Sequence, residues 1–466
     1  MKIARSSSIN VSAPMARRLL VKCLVPFLLM AAMASCSREA KKAGYLARAQ
    51  EYYSAGELEK AKIEYLNVLR LDPNAAVAYQ QIGFIWSEEG AAFLAMQYLR
   101  KASELSPDNL EIRTKLALNC ALQGWKDEAN DELDLVLAKN PANDEAVVLL
   151  AELTNSIEEA NRAEKKLAKI KSPDRAAIHV ALARLARTRN DPATYEKESL
   201  AAVALDPKFV PAQLALAGLW LLKKDLAKAE EAIRTAAGLA PLRSPAQLKY
   251  AEFKRDHRSV KEARAFLDDL SKKVPDYLSA WRLDAQLALT EKKYSEALNL
   301  LENVFSRDPN DVEARLLQAQ ALIESGDAKK AIAHLENLDK HRQSLRKDHS
   351  RDPQIMYALA LAHLKDSNPA QARALLEEAV KNNPDYPEVS LLLAKIEMAS
   401  GDARGAAALM EQLLTKSPAN VPAQLLLADA YRAMGRYDDA AGVYRKQIQV
   451  TPGIAAPYFL LGMTLR

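Results

Sequence analysis

Several residue types that brace or interrupt a fold are scarce in this sequence. Its 466 residues include three cysteines, 14 glycines and 21 prolines. No Cys-x-x-Cys pair or Cys/His zinc spacing occurs, and glycine and proline are too rare for a collagen-like or linker-dominated chain. Hydrophobic residues make up 49% of the chain, which excludes disorder, and a mean hydropathy of -0.22 excludes a polytopic membrane protein. Aromatic residues reach only 6%, which favours helices packed through small side chains.

Acidic residues are absent from residues 1–35, which contain five basic residues and an apolar run from Cys23 to Ala34. A basic start, a short apolar run and small residues before a cleavage point are typical of a secretory signal. The apolar run is too short to span a bilayer. We therefore predict an export signal over residues 1–35, with translation starting at Met1 or at Met15.

The small residues directly before Cys36 resemble the bacterial lipobox, in which the cysteine is lipidated and becomes the first residue; Met33 stands where this motif usually has Leu. The resemblance implies lipidation of Cys36, a short tether over residues 36–41 and a lipid anchor in a membrane facing the periplasm. Ser37 replaces the Asp that retains lipoproteins at the inner membrane of enteric bacteria, which favours the outer membrane. The alternative is a plain signal peptide with an incidental Cys36.

Removal of this signal changes the charge of the chain. The whole sequence has 65 basic and 60 acidic residues, and the signal carries five basic residues and no acidic one. The mature chain is therefore formally neutral, which argues against a nucleic-acid partner. If Cys36 is acylated, Cys120 is left alone and no internal disulfide is available.

The rest of the chain repeats with a period of 34 residues. Most steps between successive linker prolines are 34 residues long, with exceptions of 32, 44 and 31 residues. These prolines are Pro73, Pro107, Pro141, Pro173, Pro207, Pro241, Pro275, Pro309, Pro353, Pro384, Pro418 and Pro452. In each period one position holds a small residue: Ala49, Gly83, Ala117, Ala151, Ala183, Ala217, Ala251, Ala285, Ala319, Ala360, Ala394, Ala428 and Gly462. Twelve residues later a second position holds Ala61, Ala95, Ala129, Ala163, Ala229, Ala263, Ala297, Ala331, Ala372, Ala406 or Ala440, and only the fifth period departs from it, with Tyr195.

This spacing of small residues resembles the tetratricopeptide repeat, a helix–turn–helix unit. The two small positions are expected where paired helices cross closely. The resemblance implies an all-α solenoid, a right-handed superhelix of helix pairs. It covers about twelve repeats over residues 42–452 and the first helix of an incomplete thirteenth over 453–466. A chain end without a polar cap suggests either a longer protein or a last helix that acts as the cap.

The family binds proteins or peptides in a concave groove lined by the first helix of each repeat. The positions that match the groove are Gln50, Tyr53, Gln80, Phe84, Arg184, Arg282, Gln286, Gln320, Lys395, Asp429 and Arg432. Tyr53 and Phe84 are the strongest candidates, because exposed aromatic residues are common anchors of an interface. The Lys and Asn pair of the chaperone-tail clamp is absent. For each residue in this set, the alternative is an ordinary solvated helix face.

An insertion near residues 339–352 interrupts the period and is rich in basic residues. Its candidate anion-binding residues are Lys340, Arg342, Arg346, Lys347 and Arg351. One hypothesis is a site for lipid head groups or an acidic polysaccharide. The other is a lengthened second helix with a solvated basic face.

No catalytic, metal-binding or cofactor-binding motif occurs in the sequence. The six histidines are scattered over different repeats, and most carboxylates have Lys or Arg neighbours at helical spacing. We therefore expect no enzyme activity, no cofactor, no metal and no small-molecule substrate.

A lipid anchor followed by a repeat array resembles the tetratricopeptide lipoproteins of bacterial envelopes, and its layout is similar to those of exopolysaccharide and PEP-CTERM/exosortase export systems. The resemblance implies an exported scaffold that holds protein partners of such a system at the membrane. One alternative is an outer-membrane assembly or pilus-biogenesis lipoprotein. Another is the repeat region of a longer enzyme, for example a glycosyltransferase, cut off at Arg466.

Overall fold

A computed structural model describes residues 38–170, 174–345, 351–382, 386–418, 420–450, 453 and 455–465. These residues form α-helices joined by short turns and contain no strand, which confirms the expected all-α fold. The helices are α1 (38–54), α2 (Leu58–Leu71), α3 (Ala76–Glu88), α4 (Ala92–Leu105), α5 (Leu110–Leu122), α6 (Lys126–Lys139), α7 (Asp144–Glu152), α8 (Ile157–Leu167), α9 (Ala176–Thr188), α10 (Pro192–Leu205), α11 (Val210–Leu222), α12 (Leu226–Leu239), α13 (Pro245–His257), α14 (Val260–Lys273), α15 (Leu278–Thr290), α16 (Tyr294–Phe305), α17 (Val312–Ser325), α18 (Ala328–Leu345), α19 (Pro353–Lys365), α20 (Pro369–Asn382), α21 (Pro387–Ser400), α22 (Ala403–Lys416), α23 (Val421–Ala433), α24 (Tyr437–Val450) and α25 (Ala455–Thr464).

Each repeat consists of an odd-numbered helix A followed by an even-numbered helix B. The chain divides into two compact units, an N-terminal unit that ends at His257 and a C-terminal unit that begins at Arg258. The division falls between the two helices of the seventh repeat. The predicted export signal and Cys36 lie outside the described residues. No helix within the described ranges has both the length and the apolar character needed to cross a bilayer.

A left-handed residue ends helix A in most repeats. Six glycines, among them Gly326 with φ 95°, adopt this conformation seven positions after the first small residue. Asn190, Lys224, Lys292 and Ser367 adopt it at the same position in four other repeats, with φ between 57° and 61°. Asn tolerates this conformation, whereas Lys and Ser are strained there, so the turn geometry of the repeat overrides local preference at Lys224, Lys292 and Ser367.

The small residues of the repeat lie at the contacts between helices, as their spacing predicts. Ala49, Ala61 and Ala117 have no exposed surface, and the same holds for most of the set. At Gly83, a Cβ atom would lie 2.7 Å from Cγ of Leu99 on the following helix B. The helices therefore approach so closely that even a methyl group does not fit there.

The fifth repeat departs from this rule in a compensated way. Tyr195, where other repeats have Ala, is buried between α9 and α11, and its hydroxyl donates a hydrogen bond to the backbone oxygen of Ala215 at 3.0 Å. Its Oη atom occupies the place that a Cβ atom of Gly218 would take. A large residue on one helix is thus matched by the loss of a side chain on the next.

Candidate protein-binding surface

In each unit, neighbouring A helices contact one another and form a continuous surface, here called the helix A face. The contacts join α3 to α5, α7 and α9 to α11 in the N-terminal unit, and α15 to α17, α19, α21 and α23 in the C-terminal unit, each helix touching the next in its row. Such a row of parallel helices offers a long surface on which an extended segment can lie.

Polar side chains bridge the first A helices of the N-terminal unit. Tyr53 on α1 donates a hydrogen bond to Glu88 on α3, and burial together with this carboxylate raises the pKa of the Tyr53 phenol. Gln80 on α3 donates to Glu111 on α5 at 3.3 Å, and Asn119 donates to Ser87 at 2.9 Å. These bridges fix the side chains that a partner would meet.

Two of the predicted groove residues are buried. Phe84 is only 8% exposed, which differs from the expectation of an open aromatic anchor, because α3 is packed against α4 and α5. Arg282 is also 8% exposed and pairs with Asp311 at 2.5 Å and Glu313 at 2.8 Å. Both side chains therefore serve the contacts between A helices more than an outer surface.

The remaining predicted groove residues reach the surface. Gln50, Gln286, Gln320 and Lys395 are exposed, and Tyr53, Gln80, Arg184, Asp429 and Arg432 are partly exposed. Their role in binding stays a prediction.

In the C-terminal unit an apolar row that the sequence analysis did not single out follows the same face. Leu316, Tyr357, Leu391 and Leu425 occupy the fifth position of α17, α19, α21 and α23, and all four are partly exposed. The repeat numbering alone would have revealed this row. Apolar side chains of this kind provide the area that a bound segment buries.

On α9, two arginines lie on one face of the helix and are here called the arginine pair, Arg184 and Arg187. Arg184 donates to Thr188 Oγ1 at 3.0 Å and to the backbone oxygen of Thr154 at 3.4 Å. Burial, with repulsion from Arg187, lowers the pKa of Arg184. Neighbouring groups of the protein therefore do not fully neutralise the positive charge of the arginine pair.

The basic insertion contributes contacts within the chain. It lengthens α18 to 18 residues, and Arg342, only 1% exposed, pairs with Asp352 at 2.9 Å. Arg351 pairs with Asp339 at 2.6 Å and with a carboxylate on α20. These two arginines neutralise carboxylates of the protein, which differs from the expectation of an external anion site. Lys340 is exposed, and Arg346 and Lys347 lie outside the described residues.

Among the described residues, most buried carboxylates are paired with Lys or Arg side chains. Asp308, 1% exposed, has its pKa raised to about 6 by burial and by the nearby Asp311. Within the described part of the chain, no cluster of His, Cys, Asp and Glu side chains could hold a metal ion. Cys120 is buried in the N-terminal unit.

Comparison with protein families finds the tetratricopeptide repeat in both units. Models of this repeat match residues 43–75, 288–346, 342–387, 357–420 and 397–455. No curated protein sequence matches the chain.

Solved structures with a similar fold cover most of the chain. Yeast Tom70 matches 92% of this chain and 95% of its own, with a TM-score of 0.51 and 13% identity. A tetratricopeptide repeat protein from Parabacteroides merdae matches 55% of this chain and 99% of its own, with a TM-score of 0.40 and 15% identity. At such identity, the match to Tom70 concerns the fold alone.

Proposed function

Because this chain is a tetratricopeptide repeat protein, a family whose repeats mediate contacts between proteins, we propose that it is a non-catalytic scaffold that holds protein partners on its helix A face. The observation that carries this proposal is the continuous helix A face in each unit. In the C-terminal unit that face combines a partly exposed apolar row with exposed Gln286, Gln320 and Lys395. Apolar area beside polar groups is the composition of a protein interface.

The test compares two matched sets of substitutions in the full-length protein. Replacing Gln286, Gln320 and Lys395 with Ala changes the helix A face, and replacing Lys329, Gln371 and Gln412 with Ala removes the same residue types from exposed positions on helices B. Affinity capture from the native cells should lose partners with the first set and keep them with the second. Equal capture by both sets would refute binding on this face.

We further propose that the scaffold is exported and held at a bacterial membrane, with the outer membrane favoured, by a lipid on Cys36. The support is sequence alone: the basic and apolar segment over residues 1–35 and the small residues before Cys36. Metabolic labelling with a fatty acid should label the wild type and leave Cys36→Ala unlabelled. An unlabelled wild type would refute the anchor.

Within the envelope, the proposed place of the scaffold is an exopolysaccharide or PEP-CTERM-type export assembly, supported by the layout of a lipid anchor followed by a repeat array. In-cell crosslinking should recover components of that export system. Recovery of pilus or outer-membrane assembly components alone would instead favour those roles.

A further inference from the structure

Residue 195, in the fifth repeat, is the one place in the sequence where the second small residue is replaced by a large one, and the residues around it are unusual in charge as well as size. The large Tyr195 side chain fits there because Gly218 on the next helix A has no side chain. The arginine pair lies close enough to the Tyr195 phenol that its charge affects the pKa of that group. Places where a chain departs from its own repeat rule are candidates for functional sites.

The arginine pair differs from its neighbours in its partners. Arg175, just before α9, pairs with Asp144, and Arg189, just after α9, pairs with Glu164 at 2.7 Å. Among the described residues, no carboxylate lies within ion-pair distance of Arg184 or Arg187. Arg184 instead donates to a hydroxyl and a backbone oxygen.

The surroundings of the pair do not remove its charge. Glu152 on α7 is the nearby acid, and it attracts Arg184 without forming an ion pair. Burial nevertheless lowers the pKa of Arg184, and Arg187 adds to this effect. An incoming carboxylate would therefore gain from a guanidinium that the protein has partly desolvated but not paired.

Apolar surface lies next to this charge. One repeat further on, α11 contacts α9 and carries Leu221 and Leu222 at the positions that correspond to Arg187 and Thr188. Leu222 is 57% exposed, and Leu221 is partly exposed. Gly218 on the same helix has no side chain, and the Tyr195 hydroxyl lies where its Cβ atom would be.

We propose that the arginine pair binds a carboxylate side chain of a partner segment whose neighbouring aliphatic residues pack on Leu221 and Leu222. The occupant is an extended acidic and aliphatic peptide segment of a protein. Charge complementarity specifies the acid, and the exposed leucines specify its neighbours. This inference rests on the proposed scaffold function and names the chemistry of one partner site.

The test is a peptide-display selection on full-length wild-type protein, immobilised in detergent through a C-terminal tag. The selected peptides should be enriched in Asp or Glu beside Leu, Ile or Val. A synthetic copy of the best peptide should bind Arg184→Gln/Arg187→Gln about tenfold or more weakly than wild type. A copy with Asn and Gln in place of its acids should bind both proteins equally weakly.

Two further variants separate charge from structure. Arg234→Gln removes an exposed arginine from helix B of the next repeat and should leave peptide affinity unchanged. Arg184→Lys/Arg187→Lys keeps the positive charge and should retain part of the affinity, since Lys lacks the two-pronged geometry of Arg.

Selected peptides without acidic enrichment, or an affinity unchanged in the double Gln variant, would overturn the site. The scaffold proposal would survive that result, because peptide binding itself would have been recovered. Selection of no peptide would also overturn the site, and loss of partner capture would have to be shown separately to refute the scaffold.

Discussion

Replacement of Gly218 by Ala should destabilise the protein although it adds a better helix former. The new Cβ atom would overlap Oη of Tyr195, which is held in place by its hydrogen bond to Ala215. Forcing an extra methyl group into a packed contact costs about 1–3 kcal/mol. The gain in helix propensity offsets about 1 kcal/mol of this, so we expect a net loss of up to about 2 kcal/mol.

The same substitution should reverse its effect when the Tyr195 hydroxyl is absent. Tyr195→Phe alone should cost about 1 kcal/mol, through the lost hydrogen bond. In that background the nearest remaining ring atom, Cζ, is 3.7 Å from the Cβ position of residue 218, an ordinary contact. Gly218→Ala should then stabilise by about 1 kcal/mol, so the two changes couple by roughly 1–3 kcal/mol.

The assay is urea unfolding of the four proteins of this cycle, followed by far-ultraviolet circular dichroism. Gly238→Ala on α12 is the control, since a Cβ atom there meets no other atom within 4 Å. It should shift the midpoint upward or leave it unchanged. If Gly218→Ala lowers the free energy of unfolding equally with Tyr and with Phe at residue 195, the Tyr195 hydroxyl is not what excludes a side chain at residue 218.

Three other substitutions test separate features by the same unfolding assay. Gly83→Ala should lower stability by up to about 2 kcal/mol after the gain in helix propensity, because its Cβ would lie 2.7 Å from Cγ of the fully buried Leu99; a raised midpoint would mean that the helices can separate there. Lys292→Gly should stabilise by up to about 1 kcal/mol, because Lys is strained at φ 59°; a lower midpoint would contradict this. Burial, with Asp311 nearby, raises the pKa of Asp308 from 3.8 to about 6, so the folded state keeps this proton to higher pH than the unfolded state. The stabilisation that comes from protonated Asp308 is complete below pH 3.8 and is lost as pH rises through 6. The free energy of unfolding should fall by about 3 kcal/mol over this range. Relative to wild type, Asp308→Asn should therefore become more stable as pH rises from 4 to 7, and a constant difference would refute the assignment.

The sequence was sufficient for the fold because the repeat period fixes which residues meet. Small residues at two positions per period mark the helix contacts, and Ala49 and Ala61 are fully buried as expected. The left-handed residue after helix A could be predicted only in part of the repeats. Six glycines indicate this conformation, whereas Lys224 and Lys292 adopt it without any signal in the sequence. At those repeats the helices on either side impose a conformation that the local sequence opposes.

The candidate site was less predictable, because exposure depends on partners far away in the sequence. Phe84 matches a groove position of the family, yet it is 8% exposed, since the packing of three helices decides its environment. Arg282 finds its carboxylate partner Asp311 in the next repeat. A single position in a pattern specifies the face of a helix but not what the neighbouring repeat places against it.

The arginines show why a count of charges is a poor guide to an anion site. The insertion is one of the more basic stretches of the mature chain, yet its Arg342 and Arg351 are paired with carboxylates of the protein. These ion pairs hold α18 against α19 and α20, and an external anion would have to break them in order to bind. Arg184 and Arg187 are fewer, but no carboxylate of the described chain pairs with them. An external anion gains most where the protein has partly desolvated a cation without pairing it, so substitution of Arg184 should weaken acidic peptides more than substitution of Lys340.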